Sequence, residues 1–212
     1  MSARAVLFLL LLSLNANIAA AGEIREFNVS TLERLGNELI HESQRPDRGA
    51  TDQVRKQARQ TAIPALQGRL FNIHYDYVVL SDPDGKRFLV YALGTTGKRD
   101  EVVLGGHLRV TVSADGTRAE RIDALSQTLM IDSPRTAGVP AGFHMTALYV
   151  NQIVSNRPVE TFVYLANLTK KNIYVGTPDG KMWLVGKGRM KVDTSKPSNK
   201  TEAGAAHKAF DR

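Results

Sequence analysis

Tyr77-Val78-Val79-Leu80-Ser81-Asp82-Pro83-Asp84-Gly85-Lys86-Arg87-Phe88-Leu89-Val90-Tyr91 sets two β-rich runs on either side of a Pro-Asp-Gly turn. Proline fixes φ at the start of such a turn and glycine accepts φ > 0 at its end, so the stretch predicts a β-hairpin. The same logic makes His107 to Ser113 and Arg118 to Asp123 a second hairpin about Ala114-Asp115-Gly116. Ile173 to Gly176 and Lys181 to Val185 form a third about Pro178-Asp179-Gly180. Between the second and third, Ala147 to Val154 reads as a strand, and Asn156 is the expected cap of a helix with Pro158 in its first turn and Val159, Phe162, Val163 and Ala166 on one face.

Ahead of the hairpins the period changes to that of a helix. Ser30 and Glu33 have capping-box spacing before Leu32, Leu35, Leu39 and Ile40, which predicts a helix over Thr31 to Ser43. Thr51 is the expected cap of a second helix with a thin stripe of Val54, Ala58 and Ala62, ended by Pro64. The fold class that follows is α+β: a mainly antiparallel sheet built from hairpins, one crossing helix and an N-terminal helical segment. The divisions read as a signal peptide over 1–21, the helical segment over 22–67, the globular domain over 68–193 and a disordered tail over 194–212, whose Ser, Lys, Pro, Asn and Ala leave Phe210 as the one bulky anchor.

Arg4 precedes the apolar run Ala5 to Leu14, and small residues close at Ala19-Ala20-Ala21. Such a charged start, short apolar stretch and Ala-x-Ala end predict export with cleavage before Gly22, and a run that short cannot span a bilayer. A cysteine-free exported chain suits a bacterial periplasm, so a periplasmic or secreted protein without a membrane span after cleavage is expected. The absence of cysteine also excludes disulfides, thiolate nucleophiles and Cys-ligated zinc. The 28 Lys and Arg against 21 Asp and Glu give a net +7, spread along the chain without a basic stripe, so no nucleic-acid partner is expected.

Few residues gather into recognisable chemistry. No histidines stand at HxH or HExxH spacing; His74 with Asp76 shares a strand face, and His107 is the one further candidate that could join them. No serine sits in a Gly-x-Ser-x-Gly elbow. Asp82, Asp100, Glu101, Asp123, Asp132 and Glu160 could supply a carboxylate pair, with their separation unreadable from sequence. The run Lys181 to Lys191 reads as a terminal strand whose lysines guard an edge.

Pro158 to Leu184, a short helix followed by Ile173-Tyr174-Val175-Gly176-Thr177-Pro178-Asp179-Gly180-Lys181, resembles the closing half of the JAB/MPN (JAMM-like) fold. In that family a zinc-bearing strand ends in His-x-His-Pro, leads into a helix that supplies an Asp ligand, and is followed by a strand that often closes in a Thr-Pro-Asp-Gly hairpin. The hairpin Tyr77 to Tyr91 resembles the family's opening pair. Asn151 and Ile153 stand where the two histidines belong and the helix offers no Asp, so the resemblance implies a metal-free relative with a hairpin inserted between Gly94 and Leu129.

The expectation drawn from these observations is a non-catalytic module that binds another envelope or secreted protein, as an inhibitor or immunity factor does, without cofactor or metal. Phe143, Tyr149 and Trp183 are its candidate binding residues. The alternative is an exported hydrolase acting on cell-wall or carbohydrate material through Asp and Glu.

Overall fold

The computed structural model describes residues 23–98, 100–133 and 147–194. In chain order the elements are α1 (Val29–Ser43), α2 (Gln53–Ala65), β1 (His74–Ser81), β2 (Phe88–Thr95), β3 (Val102–Val103), β4 (Leu108–Val112), β5 (Ala119–Ala124), β6 (Ile131–Asp132), β7 (Ala147–Asn151), α3 (Glu160–Thr169), β8 (Asn172–Gly176), β9 (Met182–Gly186) and β10 (Arg189–Val192). The α+β class is as the hairpins predict. The tract 1–22, which holds the expected signal peptide, lies outside the described residues, as do the tail 195–212 and Phe143.

A first antiparallel sheet has the order β1-β2-β4-β5, a second has β10-β9-β8-β7, and β3 with β6 makes a small ribbon. All pairings are antiparallel except that of β7 with β8, which α3 joins as a crossover. Helices α1 and α3 pack on each other, α1 also touching β1 and β10 and α3 touching β8 and β9, so this pair fills the space between the sheets. Helix α2 covers the opposite face of the first sheet.

Period-two alternation explains both cores. Val78, Leu80, Leu89, Tyr91 and Leu93 face α1 and α3 and join Leu148, Ile173, Val175 and Val185 of the second sheet in the main cluster. Val79, Val90, Ala92, Val110 and Val112 face the other way, onto Ala58, Ala62 and Leu66. The β4–β5 turn also rests on α2, where Thr61 Oγ1 donates to the Gly116 carbonyl at 2.7 Å. At the crossing of α1 and α3, a Cβ on Gly36 would stand 2.4 Å from Val163 Cβ, so only a glycine allows the approach.

Three local expectations are corrected. Helix α1 is capped by Asn28, whose Oδ1 accepts from Thr31 N at 2.8 Å, and Glu33 leaves the capping box to accept from Met190 N at 2.8 Å on edge strand β10. Helix α2 starts one residue later than the Thr51 cap implies, with Asp52 Oδ1 accepting from Arg55 N. The N-cap of helix α3 is Val159 rather than Asn156 and has no side-chain cap; Gln152 holds the approach to it, its Oε1 accepting from Val159 N and its Nε2 donating to Ser155 O. A fourth correction concerns Lys181 to Lys191, which is a hairpin and not one strand. Lys187 (φ 51°) and Gly188 (φ 73°) form the two-residue turn between β9 and β10, and positive φ at both positions is what a tight hairpin needs.

Candidate functional site

Two places concentrate side chains that a globular core does not require. The first lies on the outer face of the second sheet. Tyr149 pairs with Tyr174 across the parallel ladder, Tyr174 with Leu184, and Leu184 with Lys191, so the row crosses all four strands. The two tyrosine rings stack, with centroids 4.8 Å apart and planes 11° apart, and Tyr149 is 61% exposed. Ile153, two positions beyond the end of β7, is also 61% exposed. Met182 and Leu184 are half-buried beside them, and the described helices all lie on other faces.

Trp183 does not join this patch. Its partners Val175 and Val192 belong to the inward rows, and it packs against the main core. Alternation in a strand sends neighbouring residues to opposite faces, so Tyr149 and Trp183 lie on opposite sides of one sheet. Tyr174 is the partner that sequence reasoning missed. The parallel pairing of β7 with β8 brings it to Tyr149, and nothing local in the sequence announces a parallel register.

The second place is buried beneath the segment Glu23–Asn28. Across the first sheet the register aligns Val78, Tyr91, Arg109 and Asp123 in one row on the inward face. Arg109 is wholly buried, yet every nitrogen is engaged: Nε and Nη2 donate to Asp123 Oδ2 at 3.1 and 2.8 Å, Nη1 donates to Glu160 Oε1 at 2.5 Å, and Nη2 also reaches the Arg25 carbonyl. Tyr91 Oη donates to the same Glu160 oxygen at 2.8 Å. Burial alone would lower the pKa of Arg109, but Glu160, Tyr91 and Asp123 outweigh it and hold the guanidinium above its ordinary value. Burial, with the Glu160 charge beside it, pushes the Tyr91 phenol well above its ordinary value.

The covering segment adds charge of its own. Arg25 grips Asp82, whose side chain is fully buried, through both terminal nitrogens. The Phe27 ring lies between two guanidinium groups, 4.7 Å from that of Arg25 and 4.8 Å from that of Arg109. Chemically this is a closed network. Asp82, Asp123 and Glu160, three of the carboxylates that could have made a hydrolytic pair, are each bound to arginine out of reach of solvent.

His74, Asp76 and His107 are not brought together. His74 is exposed with its Nε2 3.9 Å from Asp76, while His107 is buried, its Nδ1 accepting from Gly94 N at 3.0 Å and its Nε2 facing Val103 O at 3.1 Å. Among the described residues no three His, Asp or Glu side chains converge as a metal site. A cleft of ≈ 200 Å³ between β2, β3 and α3 offers one carboxylate, Glu101, which Lys98 already meets at 2.7 Å. No family model, no curated protein and no solved structure matches the chain.

Proposed function

We propose that this protein is an exported bacterial binding module without catalytic activity, and that it meets another envelope or secreted protein through the outer face of its second sheet. The observation that carries this reading is the stacked Tyr149–Tyr174 pair standing in solvent on a four-stranded face. Tyrosines supply large contact area with few rotamers to freeze, which is why they recur at recognition surfaces. Lys191 ends the row in a cation.

The closed state of the interior acids supports the same reading over the hydrolase alternative. A general acid and base need a reachable, separately tuned pair, and here Asp123 and Glu160 share one buried guanidinium.

A photoreactive phenylalanine analogue placed at position 149 in the producing cells tests the proposal, with the same label at exposed Gln127 as control. A defined adduct from position 149 that is absent from position 127 is expected. Identical adduct patterns, or none from position 149, would remove the outer face as the interface. Release of soluble fragments from purified cell wall by the protein alone would bring the hydrolase forward.

A further inference from the structure

We infer that the channel over Arg109 is a peptide-recognition groove whose present occupant is the chain's own segment Glu23–Phe27, replaceable by an extended segment of the order apolar, Arg, any residue, aromatic. This groove is separate from the outer face of the second sheet.

The segment is held as a peptide ligand is held. Its alternate carbonyls, those of Glu23, Arg25 and Phe27, each accept from a different guanidinium, of Arg121, Arg109 and Arg157 respectively. Spacing of two is the repeat of extended backbone, so three arginines read one edge of the segment as a neighbouring strand would. Arg25 N completes the set by donating to Asp123 Oδ1 at 3.1 Å. These contacts ask only for a peptide backbone. Selection comes from the side chains between them: Ile24 is buried, Arg25 enters the Asp82 and Asp84 pocket, Ser155 Oγ donates to Glu26, and Phe27 slots against Arg109.

The segment also differs from the rest of the chain in how it is joined to it. Residues 23–27 belong to no helix or strand and make no backbone-to-backbone hydrogen bond among the described residues. Their covalent anchor is Asn28, which caps α1 and can stay in place while they leave. Glu160 lines the groove with one oxygen, Oε2, that has no hydrogen-bond partner among the described residues, beside a cavity of ≈ 10 Å³ that Arg25 and Phe27 also line. A buried acceptor left over in this wall is capacity that a different occupant could use.

The test compares the full chain with its Arg25→Ala, Phe27→Ala double variant, using a fluorescent synthetic peptide with the sequence of residues 22–28. The variant should bind the peptide saturably, and the wild type at least about tenfold more weakly, because its own segment competes at high effective concentration. A peptide with alanine in place of its arginine should bind neither. A folded variant that binds no peptide, or that binds both peptides alike, would overturn the inference. Should the variant fail to fold, hydrogen exchange on the wild type decides. Exchange at Arg25 N ahead of the sheet amides of Val90 and Val110 shows that the segment leaves as a unit, whereas exchange only together with them shows that it is ordinary core.

Discussion

In the first sheet, the row Val78–Tyr91–Arg109–Asp123 places an ion pair where strand alternation calls for core; in the second, the row Tyr149–Tyr174–Leu184–Lys191 places stacked tyrosines in water. The two rows lie on sheets of equal strand number that sandwich the same pair of helices. Their difference is one of cover. The charged row is sealed by Glu23–Asn28, where the Arg25 carbonyl accepts from Arg109 and the Arg25 N–H donates to Asp123, whereas the aromatic row has no described helix above it. A buried charge is tolerated only where each donor finds an acceptor, so the charged row dictates its own lid, while the aromatic row asks for none.

The largest expected effect comes from breaking the charged row. Arg109→Met removes the cation shared by Asp123 and Glu160 and should cost about 3 to 5 kcal/mol in urea unfolding, since Glu160 then stays buried with no cation and Asp123 keeps only the half-exposed Arg121. A loss below about 1 kcal/mol would mean that water enters and that the network is not sealed. Adding Asp123→Asn and Glu160→Gln to the same variant should recover part of the loss, because the stranded charges are then gone.

A middle-sized effect follows from His107, the residue just ahead of β4. Burial depresses its pKa from 6.5 to about 4, opposed only by the Val103 carbonyl. The native state therefore resists a proton that the unfolded chain accepts. This contribution is complete above pH 6.5, declines as the pH falls, and is gone below about pH 4. The full swing is about 3 kcal/mol, and a His107→Gln variant should show a flatter stability profile between those limits. Equal slopes for the two proteins would show that other groups carry the acid sensitivity. The smallest effect belongs to the aromatic row: Tyr149→Ser should move the unfolding free energy by no more than about 0.5 kcal/mol while abolishing the adduct formed from a label at neighbouring Tyr174. A large stability loss would make Tyr149 part of the core and unmake the contrast.

The hairpins were legible because their turns are chemical statements: Gly85, Gly116 and Gly180 take φ of 74°, 75° and 78°, as the Pro-Asp-Gly and Asp-Gly sequences require. The charged row was not. His107, Arg109 and Thr111 alternate with Leu108, Val110 and Val112, and by pattern alone the polar set belongs in solvent. What reverses it is a segment 84 residues earlier in the chain, and no local period reports so distant a lid. The β9–β10 turn was legible in principle, since Gly186-Lys187-Gly188 is turn chemistry, but the surrounding lysines read equally well as edge protection. The exposed side of Tyr149 follows from alternation along its strand, whereas its stacking on Tyr174 needed the crossover.

Helix α1 has a consequence for the order in which the chain can be assembled. Its Leu35 and Leu39 are wholly buried in a cluster shared with α3 and β1, and Glu33 closes the edge of β10, so the seat of the first helix is incomplete until α3 exists and is closed only by the last strand. A polypeptide emerging from its N-terminus therefore carries a partly unsatisfied apolar stripe until α3 has been made. Such long-range closure slows folding and leaves sticky surface exposed meanwhile. The cell handling this protein must keep a nascent helix from meeting other nascent helices until the far end arrives.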